Sequence, residues 1–323
     1  MRFSAPVGPL LLSLASAAAI GCRSDSTGPG GSGNSSPNFI RLVSDPGDWV
    51  GSGKTYEYTQ ASSIISVNAN GAHLSVSVSG EEGWNGDFQL PSTNTRLEPG
   101  TYTGGLSWYG GNGCNTYSGS FTIGRATYDG TNLTAIDLAF EQHCEGAAAA
   151  LHGTIHWRSD DTTRPPGPVN PDPPGLWAPA PGSTPPSGNY IYLTSDMSDW
   201  VGAGQTYLYT PTTATVTLTA TGGLLSISVS GAEWWFGDFQ AMNSIPKFEV
   251  GYYGNLGRYP FHNPTRGGLD WFGQGRGCNT LRGWFSIDHV TYAVDSLTAV
   301  DLRFEQHCEA GTSALHGAIH WVR

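Results

Sequence analysis

Leu74-Ser75-Val76-Ser77-Val78-Ser79-Gly80 decides the fold, because apolar and hydroxyl residues alternate strictly along it and the run stops at a glycine. Period-two alternation puts every apolar side chain on one face of an extended strand. The same heptad returns as Leu225-Ser226-Ile227-Ser228-Val229-Ser230-Gly231. Shorter runs of this kind surround the first one: Ile64-Ile65-Ser66-Val67-Asn68, Phe121-Thr122-Ile123 and Ile136-Asp137-Leu138-Ala139-Phe140. Gly, Asn or Pro separates them, as turns between short antiparallel strands require. About eight or nine strands per repeat predict an all-β chain of two tandem antiparallel β-sandwich domains, jelly-roll-like, since two packed sheets bury one face of each strand. Glu145 to Ala150, the one helix-like stretch, is too short to persist alone and reads as a loop.

The two heptads belong to a duplication that spans residues 38–158 and 189–323. Ser44-Asp45-Pro46-Gly47-Asp48-Trp49-Val50-Gly51 corresponds to Ser195-Asp196-Met197-Ser198-Asp199-Trp200-Val201-Gly202 at an offset of 151, which holds through Gly86-Asp87-Phe88-Gln89 and Gly237-Asp238-Phe239-Gln240. The offset then becomes 164, and Gly113-Cys114-Asn115-Thr116, Phe140-Glu141-Gln142-His143-Cys144-Glu145 and Leu151-His152-Gly153 recur as Gly277 to Thr280, Phe304 to Glu309 and Leu315 to Gly317. The second repeat has thus gained 13 residues, nearly all between Tyr253 and Trp271. Between the repeats, residues 159–188 form a Pro-rich linker, expected to be extended polyproline II with a reach of up to roughly 80 Å.

The N-terminus carries one basic residue, Arg2, then a Leu/Ala-rich apolar run from Val7 to Ile20, too short to span a membrane stably. Residues 1–21 therefore read as a signal peptide. It ends in Ala19-Ile20-Gly21-Cys22, which resembles a lipobox. That resemblance implies lipidation of Cys22, and two or three acyl chains are enough to hold a protein on a bilayer. Arg23 rather than Asp after the cysteine implies an outer-membrane or cell-surface destination. Residues 22–37, Gly/Ser-rich up to Pro37, would be a flexible tether.

Five cysteines support this reading, because lipidation of Cys22 leaves an even four. Cys114 and Cys144, and likewise Cys278 and Cys308, are 30 residues apart within one repeat, so one disulfide per repeat is expected. No CxxC spacing suggests a zinc site. The formal charge of -11 argues against nucleic acid or an anionic membrane surface as partner, leaving the lipid anchor as the membrane contact.

The shared polar residues offer several chemistries. His152 and His156 fall on one strand face but about 13 Å apart, too far to share an ion, so packing or hydrogen bonding accounts for the histidines better. Asp45 and Asp48, with Asp196 and Asp199, occupy Gly-rich loops where oxygen ligands could hold a structural Ca²⁺, although turn capping explains them more simply. Glu141, Glu145, Asp87, Asp137 and their counterparts supply carboxylates without spacing that singles out an acid and a nucleophile, and no GxSxG or HExxH motif is present. Catalysis is not the favoured reading.

Trp49, Trp84, Trp108 and Trp157 recur as Trp200, Trp235, Trp271 and Trp321, and most are expected in core or strand packing. The aromatics of the second repeat differ. Tyr253, Arg258, Tyr259, Phe261, His262 and Arg266 lie in the insertion, and Trp234 and Trp284 occur only in this repeat. These eight form the expected ligand-binding set, since a surface loop with so many aromatics and two guanidinium groups has no evident core role; an insertion that covers its own sandwich edge is the alternative.

The combination Gly-x-Gly-Cys-Asn-Thr, Phe-Glu-Gln-His-Cys-Glu and Leu-His-Gly-x-Ile-His resembles a module of uncharacterised secreted and surface proteins of bacteria, and the resemblance covers both repeats. It implies an exported, disulfide-bonded β-sandwich and brings no catalytic residues with it. The expectation is a cell-envelope lipoprotein acting as a non-catalytic binding module, with polysaccharide the leading ligand class. A structural or adhesive spacer is the alternative, and a glycan-active enzyme ranks third.

Overall fold

A computed structural model describes residues 37–323; the expected signal peptide, Cys22 and the expected tether through residue 36 lie outside the described residues. Those described contain strands and no helix, and none therefore is long and apolar enough to cross a membrane as a helix.

The first repeat contributes β1 (Phe39–Ser44), β2 (Thr55–Thr59), β3 (Ile64–Asn70), β4 (His73–Ser79), β5 (Gly83–Gln89), β6 (Gly100–Thr103), β7 (Leu106–Tyr109), β8 (Tyr117–Asp129), β9 (Asn132–Cys144) and β10 (Ala150–Arg158). The second repeats this order with β11 (Tyr190–Ser195), β12 (Thr206–Tyr209), β13 (Thr215–Thr221), β14 (Leu224–Ser230), β15 (Trp234–Gln240), β16 (Gly251–Arg258), β17 (Gly268–Gly273), β18 (Leu281–Ala293), β19 (Ser296–Cys308) and β20 (Leu315–Val322). In the first repeat a six-stranded sheet, β2-β1-β10-β9-β8-β6, faces a four-stranded sheet, β3-β4-β5-β7. The second has the same two sheets fused into one of ten strands. Its insertion lengthens β16 so that Gly257 and Arg258 pair in parallel with Gly268 and Leu269 of β17.

Each repeat encloses its own apolar core, and the alternating residues of the opening heptad, Leu74, Val76 and Val78, lie in the first with Leu225, Ile227 and Val229 in the second. Two glycines per core are needed for ring contact. A Cβ on Gly86 or Gly237 would sit 2.1 or 2.2 Å from the indole of Trp108 or Trp271, and one on Gly153 or Gly317 would sit 2.0 Å from the ring of Phe140 or Phe304. Buried Gln142 then joins the two sheets. Its Oε1 accepts the Trp108 N–H at 2.7 Å and its Nε2 donates to the Trp108 carbonyl at 2.8 Å, and Gln306 does the same for Trp271.

Cys114 is bridged to Cys144 and Cys278 to Cys308. Next to each bridge, Glu145 accepts the Asn115 and Thr116 N–H groups and the Thr116 hydroxyl, and Glu309 does so for Asn279 and Thr280. The shared Phe-Glu-Gln-His-Cys-Glu motif is in this way a fastening of strand to loop and of sheet to sheet.

The Pro-rich segment is not a free spacer along its whole length. Val169 pairs by two backbone hydrogen bonds with Tyr252 at the β16 edge, and Asp172 accepts from the Ser286 hydroxyl and from Arg303. Trp177 stacks on His316 at 5.0 Å between ring centroids. The first repeat has Ala139 at the position of Arg303, so only the second has the guanidinium that holds Asp172 and the Trp177 carbonyl.

Candidate functional site

The outward residues of β15 and β17 build the site. Along Trp234-Trp235-Phe236-Gly237-Asp238-Phe239, alternation sends Trp235 and Phe239 into the core and leaves Trp234, Phe236 and Asp238 on the outer face. Phe236 stands opposite Phe272, and Asp238 opposite Asp270. The rings form a continuous strip, with centroids 5.7 Å apart from Trp234 to Phe236 and 5.4 Å from Phe236 to Phe272. Trp234 is 45% and Phe236 41% exposed.

The strip leads to a cleft of about 430 Å³ whose polar residues include Asp238, Asp270, Arg258 and Arg276. Asp238 accepts the Ser226 hydroxyl at 2.6 Å. Asp270 is only 5% exposed, Arg258 Nε lies 3.4 Å from its Oδ2, and its Oδ1 is buried without a hydrogen-bond partner. Burial pushes the Asp270 carboxyl up to about 6, although Arg258 pulls the other way. The Arg258 guanidinium also lies over the ring of Phe261, 5.7 Å from its centroid.

The first repeat has the same strands without this surface. Where the second carries Trp234, Phe236, Asp270 and Phe272, it carries Gly83, Asn85, Ser107 and Tyr109; only Asp238 has its like, in Asp87. Cross-strand stacking of such rings adds little to the stability of a sheet, and their concentration on one repeat makes this face the candidate site.

The structure divides the eight residues expected to bind ligand. Trp234, Arg258 and Tyr259 line this cleft, and Phe261, 80% exposed, stands at its margin over Arg258. His262 is folded inward beneath Tyr259, with its ring against Gly268, and burial holds its pKa below the ordinary histidine value. Tyr253 is fully buried, stacked on Phe285 at 4.4 Å, so it is scaffold and offers no ligand face. Its counterpart is Tyr102, which stacks on Phe121 in the same way; Tyr253 lies before the true insertion.

Arg266 and Trp284 instead line a second cleft of about 590 Å³ with Glu81, Tyr252, Arg282 and Glu305. There Arg266 pairs with Glu81 of the first repeat at 3.1 Å, and Asn263 Nδ2 donates to the Ser62 carbonyl at 3.0 Å. Trp284 is nearly buried. His316, His307 and Trp284 converge on Glu305 and hold its carboxyl down to about 2, which makes it a fixed anion.

Each histidine near a carboxylate has a partner of this structural kind. His143 lies 3.0 Å from Glu141, and His156 lies 2.7 Å from Asp137. Asp48 and Asp199, both buried, accept the serine hydroxyl of Ser44 or Ser195 and the N–H of Gly51 or Gly202, while Asp45 and Asp196 accept the N–H of Ala150 and Ala314. These bonds cap turns, although Asp199 Oδ1 is buried without a hydrogen-bond partner. Among the described residues no three His, Cys, Asp or Glu side chains are placed to hold a metal ion.

Two tryptophan pairs are core, as expected: Trp84 and Trp235, and Trp108 and Trp271. Trp49 and Trp200 are not, being 60% and 62% exposed. The sequence reading missed Phe236, Asp270 and Phe272 altogether and took Asp238 only as one carboxylate among many. Alternation through Leu269-Asp270-Trp271-Phe272 would have put Asp270 and Phe272 outside once Trp271 was assigned to the core. No protein-family model, curated protein or solved structure matches the chain.

Proposed function

We propose that the second repeat is a polysaccharide-binding module and that the chain presents it at the bacterial cell envelope through a lipid on Cys22. The single observation that carries this reading is the Trp234–Phe236–Phe272 strip running into the Asp238/Asp270/Arg258 cleft. Pyranose rings present apolar C–H faces that stack on such rings, and carboxylate and guanidinium groups at the end of the strip supply the directional bonds to hydroxyls. The lipobox resemblance and the cysteine count support the lipid anchor, and Arg23 after the cysteine supports an outer-membrane or cell-surface location. Depletion of the protein by suspensions of cellulose, chitin, xylan and mannan tests the reading. Retention on at least one, removed by W234A/F236A, is expected.

A hydrolytic reading has one observation in its favour. Asp238 and Asp270 are directly opposed carboxylates, with Cβ atoms about 4.5–5.5 Å apart for such a pair, and unequal environments are how paired carboxylates divide acid and base roles. Against it, Asp270 Oδ1 is shut off from solvent. Release of reducing ends from a retained polysaccharide, lost in D270N, would establish hydrolysis; retention without release keeps the module a binder.

A further inference from the structure

Trp49 is the most exposed tryptophan of the first repeat, as its counterpart Trp200 is of the second. The Trp49 indole is nevertheless fixed, because Nε1 donates to the Gly113 carbonyl at 3.1 Å and Asn112 Nδ2 donates to the Trp49 carbonyl at 3.1 Å. Gly113 packs against Tyr109, which is 42% exposed and stands opposite Asn85 across β5 and β7. Tyr109 holds the place of Phe272, and Asn85 that of Phe236. The first repeat thus has an immobilised indole, a phenol and an amide on the face that corresponds to the aromatic strip of the second. In the second repeat the equivalent tryptophan loop borders the cleft, since the cleft residue Arg276 donates from Nε to the Val201 carbonyl at 2.8 Å.

We propose that Trp49, Tyr109 and Asn85 form a second saccharide subsite, which takes a further pyranose unit of the polymer bound by the second repeat. This inference rests on the binding reading above. The patch has no arginine and no buried acid at its end, so its own affinity is low. Its effect is avidity: the Arg266–Glu81 and Asn263–Ser62 contacts hold the repeats together, and a second engagement on one polymer then becomes intramolecular.

The test uses the full chain and its W49A/Y109A variant on whichever of cellulose, chitin, xylan and mannan retains the wild type. Affinity for the polymer should fall about tenfold or more in the variant, while titration with the matching monosaccharide, which can occupy only one site at a time, gives wild-type affinity at the second repeat. The conservative W49F variant should retain most of the polymer affinity. Polymer affinity unchanged in W49A/Y109A, with W234A/F236A abolishing retention, overturns the second subsite and leaves the binding reading standing. Retention that survives W234A/F236A unchanged instead counts against the binding reading itself.

Discussion

Asp238 and Asp270 face each other across β15 and β17, yet only Asp270 is buried, under the Arg258 side chain that the insertion brings over it. The first repeat pairs Asp87 with Ser107 at this place. A carboxylate in water was thus joined by a second one out of water, and the two no longer share an environment.

Burial of Asp270 has a cost that depends on pH. Its folded pKa of about 6 lies above the ordinary aspartate value of 3.8, so the folded state holds the proton more tightly. The cost is absent below pH 4, grows as pH rises towards 6 and is constant above that. D270N should therefore raise stability by about 2–3 kcal/mol at pH 8 and leave it unchanged at pH 3.5. Thermal unfolding of both proteins at the two pH values checks this.

Glu305 has the opposite sign. Its folded pKa of about 2 lies below the ordinary 4.5, so its stabilisation is present above pH 4.5 and is lost as pH falls through 2. E305Q should cost about 1–3 kcal/mol at pH 7, with the gap to wild type narrowing as pH falls through 4 towards 2. Glu141, the same motif position in the first repeat, is about half exposed, and E141Q should cost under about 1 kcal/mol. Urea denaturation across pH measures both.

Gly237 gives a sharper structural test. An alanine Cβ there would overlap the Trp271 indole, which the core packs in place while Gln306 holds the Trp271 backbone. G237A should lose about 3 kcal/mol or more, whereas G275A, whose Cβ meets no atom, should lose only the smaller cost of a positive φ. Chemical denaturation of the two variants compares them.

Much of this was legible in the chain itself. Strict alternation in Leu74 to Ser79 reports a one-sided burial that the structure reproduces, and equal spacing of Cys114–Cys144 and Cys278–Cys308 reports bridges closing equal loops. What could not be read was depth. Tyr253 and Tyr259 have the same composition signal six residues apart, but one fills a core slot that Tyr102 also fills and the other covers a cleft. Trp49 shares its repetition with Trp84 and is exposed because its loop, not a strand, carries it. Asp270 escaped notice because Ser107 replaces it in the other repeat, and reading what the repeats share draws the eye from where they differ.

The central claim is that the aromatic strip of the second repeat binds polysaccharide, and affinity electrophoresis of the wild type beside W234A/F236A in gels containing soluble xylan, mannan, carboxymethyl cellulose or glycol chitin tests it most directly. Both rings lie outside the core, so the variant should stay folded at the temperature of the assay while losing the retardation that one of these polymers imposes on the wild type. Equal mobility of the two proteins in every gel would contradict the claim.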